Sequence, residues 1–201
     1  MSITMTKMES AVAAGAQRDA ASLAALLEML RDPDWRVRYA AAVGLQDRGD
    51  PAAIPGLLAA LAEEETAPLF SSPELPGADF NAAGAQATEV VFPPGTSEET
   101  KEAWRRRGRV KQAVVLALGA IASDAPEVLA VLHRYARDAE QDYAVRASAC
   151  HALGEIASPA SLTCLEAACS DEEGCTRMEA VKGRGIVGSR QSTVDSGDSD
   201  I

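Results

Sequence analysis

Aromatic side chains are scarce. Trp, Tyr and Phe together make up 4% of the 201 residues, so any core must be aliphatic and finely packed. Cysteine is also sparse: four residues, at 150, 164, 169 and 175, with no Cys-x-x-Cys pair and no disulfide framework needed at this length. No apolar run approaches the roughly 20 residues that a membrane-spanning helix requires. The stretch Met1 to Gln17 lacks the charged-then-apolar layout of a signal peptide, and Glu9 and Asp19 interrupt a transit-peptide pattern. Basic residues are outnumbered, 19 against 30 acidic, giving a formal charge of −11. That balance argues against the chain as a whole gripping nucleic acid or an anionic membrane. Gly-rich phosphate loops, a G-x-S-x-G elbow and paired catalytic carboxylates are missing, and Gly183-Arg184-Gly185-Ile186-Val187-Gly188 matches G-x-G-x-x-G by letters only. The expectation is a soluble, cytoplasmic protein with reduced thiols.

What the chain has in abundance is alanine, about a fifth of all residues against an ordinary share of less than half that. Alanine has the best helix propensity and lets helix axes approach. Self-similarity follows. Asp34-Trp35-Arg36-Val37-Arg38 and Asp142-Tyr143-Ala144-Val145-Arg146 both read acid, aromatic, any, Val, Arg. A third copy starts at Val110-Lys111 and a weaker fourth at Thr176-Arg177. From Lys111 to Arg146 is 35 residues and from Arg146 to Arg177 is 31, while the 73 from Arg38 to Lys111 imply an insertion. A period near 30–35 with two helical stretches per unit marks an α-solenoid.

Each unit has a physical parse. Asp34 and Asp142 are good helix N-caps, since a carboxylate there accepts from orphan amides and complements the dipole. Val37, Ala40, Ala41 and Leu45, like Val145, Ala149, Leu153 and Ile156, recur at helical spacing. Asp50-Pro51 and Ser158-Pro159 then open a second helix, with Pro where it is best tolerated. Asp19 caps a helix over roughly 20–31 that reads as the second half of a truncated first unit. Residues 1–18 read as a flexible N terminus, 19–182 as the repeat domain and 183–201 as a disordered, Gly/Ser/Asp-rich tail. Residues 66–98, rich in Pro and Gly and with one strand-like piece at 88–92, form a long irregular insertion that reads as a specificity loop. A helix restarts after Ser97.

The motif Asp-x-x-Val-Arg, then Ala-Leu-Gly-x-Ile, then polar-Pro resembles HEAT-like repeats, and more narrowly the short form named after phycobilisome lyases. The resemblance covers roughly 20–182 without the insertion and implies an all-α solenoid of HEAT-like helical hairpins. It implies two functions. One is a non-catalytic interaction scaffold or assembly factor, in phycobilisome or tetrapyrrole-protein assembly, that needs no cofactor. The other is a phycobilin lyase subunit of the E/F type, with a bilin as transferred ligand. The implied partners are a protein on the concave face, a second HEAT-like subunit or a phycobiliprotein, in the cytoplasm or, for an alga, the plastid stroma. The last unit looks incomplete and leaves apolar surface for a second subunit to cover. Deoxyhypusine hydroxylase, another relative, holds its iron pair with His-Glu pairs. His133 and His151 are not followed by Glu, so no metal site is expected.

No catalytic residue can be named. The candidate protein-binding residues are Trp35, Arg38, Tyr39, Trp104, Arg105, Arg109, Tyr143 and Arg146. Trp35 and Tyr143 occupy one repeat position and read equally as interface anchors or core-edge residues. The run around Arg105 and Arg109 reads as a solvated face balanced by Glu98, Glu99 and Glu102, or as an anion-recognition patch. Asp34/Arg38 and Asp142/Arg146 read foremost as a structural ladder between adjacent units. Cys150, Cys164 and Cys169 fall on apolar positions and read as buried structural thiols, whereas Cys175 lies near a turn.

Overall fold

A computed structural model describes residues 3–66, 94–106 and 108–197, with the side chains of 66, 103–105 and 191–197 left aside. It divides into two units, residues 1–66 with 108–201, and residues 67–107. The described residues are helical, with no strand among them.

The larger unit holds α1 (Ile3–Ala16), α2 (Ala20–Met29), α3 (Trp35–Arg48) and α4 (Ile54–Thr66) before the excursion at 67–107. In the smaller unit, α5 (Glu98–Arg106) begins at Ser97, whose hydroxyl accepts from the Thr100 amide at 3.1 Å. The larger unit resumes with α6 (Arg109–Ile121), α7 (Pro126–Arg137), α8 (Tyr143–Ile156), α9 (Leu162–Ala168) and α10 (Gly174–Gly197). Helices α1, α3, α6, α8 and α10 stack in series, each against the next, while α2, α4, α7 and α9 are the second arms of hairpins.

Local chemistry sets the helix ends. The carboxylates of Asp19, Asp34 and Asp142 accept from the amides of Ser22, Arg36 and Ala144. Asp50 and Ser158 precede prolines that open one-turn 3-10 segments, Pro51–Ala53 and Pro159–Ser161, which lead into α4 and α9. Helices α3, α6 and α8 all end on a left-handed residue, Gly49, Ala122 and Ala157, with φ of 61°, 53° and 53°. Only the first is a glycine, so two of the three stops carry a Cβ in a strained conformation.

The core is aliphatic, as the shortage of rings requires: Leu26, Leu45, Leu57, Leu118, Leu132, Leu153 and Leu165 are fully buried, and Tyr135 is the one aromatic among the fully buried large side chains. The stacked helices touch through small residues. A Cβ on Gly15 would meet the Gly44 Cα at 2.7 Å, one on Gly119 the Ala152 Cα at 2.7 Å, and one on Gly154 the Gly183 Cα at 2.8 Å. Such gaps admit backbone and nothing larger.

Two expectations at the ends need correction. Residues 1–18 are not a flexible lead: α1 spans Ile3–Ala16 and buries Ala11, Ala14 and Gly15 against α3. The first unit is thus a full hairpin, α1 with α2, rather than a lone second helix. Residues 183–201 are not a disordered tail throughout, because α10 runs on to Gly197 and buries Gly183 and Val187. The glycines there misled the reading. Gly183 serves close approach to α8, not chain flexibility. The excursion at 67–93, with the strand-like piece at 88–92, lies outside the described residues.

Two substitutions test this packing by urea unfolding. Ala122→Gly, at an exposed left-handed stop, should gain about 0.5–1 kcal/mol, relief of αL strain less the extra entropy of an unfolded glycine. Gly154→Val drives methyls into the α10 backbone and should cost about 2–3 kcal/mol.

Candidate functional site

The basic residue that defines each repeat is a tie within the fold. The Arg146 guanidinium reaches both carboxylate oxygens of Asp171 at 3.0 Å and donates to the Gln141 carbonyl at 2.7 Å. Arg38 reaches one oxygen of Glu64, from Nε at 2.7 Å, and donates to the Asp32 carbonyl at 2.8 Å. Arg177 takes the carbonyls of Asp171 and Glu172 at 2.7 and 2.8 Å. Each of the three locks the turn before its helix. Lys7 is the equivalent cation of the first unit, paired with Asp32 at 2.5 Å. It stands 31 residues before Arg38, the same interval that separates Arg146 from Arg177.

The ladder imagined between Asp34 and Arg38, and between Asp142 and Arg146, is therefore wired differently. The aspartates cap their own helices, and the arginines bond acids at the far end of their own hairpins. Arg38 and Arg146, with side chains only 12% and 9% exposed, serve the fold and are poorly placed for a partner. Burial pulls the Asp171 carboxyl up, but hydrogen bonds from Arg146 and the Glu173 amide outweigh it and hold the group below its ordinary range.

The other predicted residues scatter. Trp35 and Tyr39 are half-buried and packed against the core, with the Arg36 guanidinium 6.0 Å from the Trp35 ring centre. Tyr143 is partly exposed at the start of α8, and its carbonyl accepts from the Thr176 hydroxyl at 3.4 Å. Arg109 is exposed at the start of α6. Trp104 and Arg105 lie in α5, in the other unit, and their side chains are outside the described set. The six whose side chains are described, all in the larger unit, do not form one exposed patch: Arg38 and Arg146 are tied into the fold and Trp35 and Tyr39 pack against the core.

One cluster that periodicity did not reveal centres on Tyr135. Its hydroxyl donates to Glu65 at 2.6 Å, and Arg134 reaches the same Glu65 oxygen at 2.5 Å while stacking 4.9 Å from the Tyr135 ring centre. The Lys111 ammonium lies 6.0 Å from that ring and bonds Gln141 at 3.3 Å. Burial drives the phenol well above its ordinary range, and the Glu65 carboxylate adds to the shift. Burial alone would raise Glu65, but Arg134 and Tyr135 hold it low. The cluster is a clasp: α4 ends at Thr66, so it fixes the point where the chain leaves the stack.

The cysteines follow the apolar pattern. Cys150 and Cys164 are buried, Cys169 is half-buried and Cys175 is exposed. Burial pushes the Cys150 thiol up to about 12, which makes it a poor nucleophile. His133 faces the Ser161 hydroxyl at 3.1 Å, and His151 faces Glu179 at 3.2 Å. Among the described residues, no three of His, Cys, Asp and Glu converge as a ligand set.

Among the described residues, one open feature is a groove of about 470 Å³ between the second helices α2 and α4. Its walls include Ala24, Leu27, Ala52, Pro55, Gly56 and Ala59, with Glu28, Arg31 and Glu63 also lining it. Gly56 sits against Leu27, where a Cβ would meet its side chain at 2.5 Å. Small residues keep the groove open, and their run in α4 was the sequence signal that could have found it.

A family model described as HEAT repeats matches residues 5–69 and 105–191, most of the chain. The chain belongs to the HEAT-repeat family. Its repeats form an all-α solenoid, and among the described residues no helix is long and apolar enough to cross a membrane. The match starts at residue 5, inside α1, in keeping with the Lys7 unit that the Asp-x-x-Val-Arg motif missed. Among solved structures, one similar to this HEAT-repeat chain is human deoxyhypusine hydroxylase in complex with glycerol, at 20% identity and a TM-score of 0.39 over 92% of this chain and 80% of that one. No curated protein matches.

The acid ties predict a pH dependence. The carboxyls of Asp32, Asp171 and Glu65 titrate lower in the folded chain than in the unfolded one. Their contribution is thus fully present above the ordinary carboxylate range and lost as pH falls through the lower, folded values. The urea midpoint should hold above about pH 5 and drop below it. Asp171→Asn should flatten that drop, and Arg146→Met should cost about 2 kcal/mol at pH 7 by leaving the half-buried Asp171 without its partner.

Proposed function

We propose that this HEAT-repeat protein is a non-catalytic scaffold that binds another protein through the groove between α2 and α4. The observation that carries this reading is how the side chains are used. The repeat cations are consumed by the fold, the buried thiols are unreactive, and none of the fully buried side-chain polar atoms among the described residues lacks a hydrogen-bond partner. The groove between α2 and α4 offers a lining of small and aliphatic residues with charged residues among them, the anatomy of a protein interface rather than of a reaction site. Exposed Glu28 lies among its lining residues, and the whole chain is acidic. The fitting occupant is a peptide segment with an aliphatic anchor beside a Lys or Arg.

Peptide-display selection against the full chain tests it. Enriched peptides should pair an aliphatic residue with a basic one, and their amide-shift footprint on the labelled protein should fall on α2 and α4. Ala59→Arg, at an exposed groove position, should reduce affinity at least tenfold without moving the urea midpoint. A footprint elsewhere would overturn the assignment. The bilin reading implied by the resemblance is checked in the same series: phycocyanobilin should give a red-shifted or sharpened band on mixing, and an unchanged spectrum removes it.

A further inference from the structure

The register of the stack identifies an empty place in it. Counting from the basic residue of each unit, the glycine eight positions on (Gly15, Gly119, Gly154) receives the residue six positions on in the next unit (Gly44, Ala152, Gly183). The face presented to the next unit also includes the residues one and four positions on. In α1, α3, α6 and α8 the residues four on are Ala11, Ala42, Val115 and Cys150, all 0% exposed. In α10 the equivalent row is Met178, Val181 and Gly185. Met178 is 52% and Val181 50% exposed, and a Cβ on Gly185 would meet nothing within 4 Å. This row is shaped like its four covered counterparts, and among the described residues nothing covers it.

The matching half of the interface is at the other end of the chain. Thr6-Lys7-Met8-Glu9-Ser10 and Thr176-Arg177-Met178-Glu179-Ala180 are close copies, each followed by a glycine at the same distance, Gly15 and Gly185. In α10 the side bearing Glu179, Ala180 and Gly183 packs on α8, where Glu179 pairs with His151 at 3.2 Å. The same side of α1, with Glu9, Ser10 and Ala13, is exposed. We propose that the open face of α10 in one molecule takes the open face of α1 from a second copy, so that the stack continues head to tail. Charge agrees with the register. His151 stands five positions after its anchor and pairs with an acid two positions after the next. In α10 the fifth position is Lys182, 57% exposed and already 2.8 Å from Glu179, and in α1 the second is Glu9. Ala13 in turn supplies the small residue that Gly185 awaits. The inference is independent of the groove between α2 and α4.

A contact of one helix face is small, so the dissociation constant should be on the order of 0.1–1 mM. Because the two faces differ, association is heterologous and continues beyond a dimer. Sedimentation equilibrium of the full chain should show a weight-average mass that rises with concentration without levelling at twice the monomer. Val181→Glu and Ala13→Glu, both at exposed positions, should each abolish the rise with helicity unchanged by circular dichroism. An equimolar mixture of the two should give a dimer and nothing larger. Lys182→Glu and Glu9→Lys should each weaken association several-fold, and mixing them should restore it. A monomer up to about 1 mM would overturn the proposal. So would dimers formed by Ala13→Glu alone, which would mean that α10 pairs with α10.

Discussion

Backbone proximity between successive first helices is the constraint on which this molecule depends. At three of the four contacts in the stack, a Cβ on one glycine would lie within 3 Å of the next helix's Cα. Helices that approach this closely cannot interpose bulky side chains, which is why alanine dominates the composition and rings are rare. The contact from α3 to α6, flanking the excursion, is the exception: Gln46 occupies the place of the glycine, and a Cβ on Gly49 would lie 3.9 Å from the Ala120 carbonyl oxygen.

Close backbones leave little apolar area per residue to set the angle of each hairpin. Polar ties take on that role. Arg38, Arg146 and Arg177 gather the carbonyls of the preceding turn, and the first two also hold an acid at the end of their own hairpin. Each guanidinium so placed has several acceptors in fixed directions, a geometry that a lysine ammonium does not reproduce. Where lysine does occupy the position, it behaves differently: Lys7 makes one short pair with Asp32, and Lys111 rests near the Tyr135 ring and Gln141.

Much of this was legible in the sequence because it is local. Asp34, Asp50 and Asp142 announce helix starts through bonds to amides two residues on, and the basic residues announce the period. What escaped notice was not local. The α1 unit has a Lys for the usual Arg and no aromatic beside it, and its buried row is Ala and Gly, which carry little hydropathy contrast. Comparison of Thr6–Ser10 with Thr176–Ala180 would have found it. In α10, glycines that read as loop are contact points, because composition cannot distinguish a glycine needed for flexibility from one needed for proximity. The bond from Tyr135 to Glu65 spans 70 residues and leaves no trace in any period. Of the proposed binding residues, Arg38 and Arg146 carried a strong pattern because the fold needs them, and a residue the fold needs is seldom one a partner can reach.

The Tyr135 clasp has an evolutionary implication. Glu65 is held by α7 one residue before α4 ends, and Gly108, with φ of 61°, enters α6 beside Asp142 and Val145. Both ends of the excursion thus touch the stack through described residues, Glu65 through Tyr135 and Arg134, and Gly108 beside Val145. Since lengthening a closed loop twofold adds only about 0.6 kcal/mol of entropy cost, anchoring the chain at these two points makes the stack tolerant of changes in the length between them.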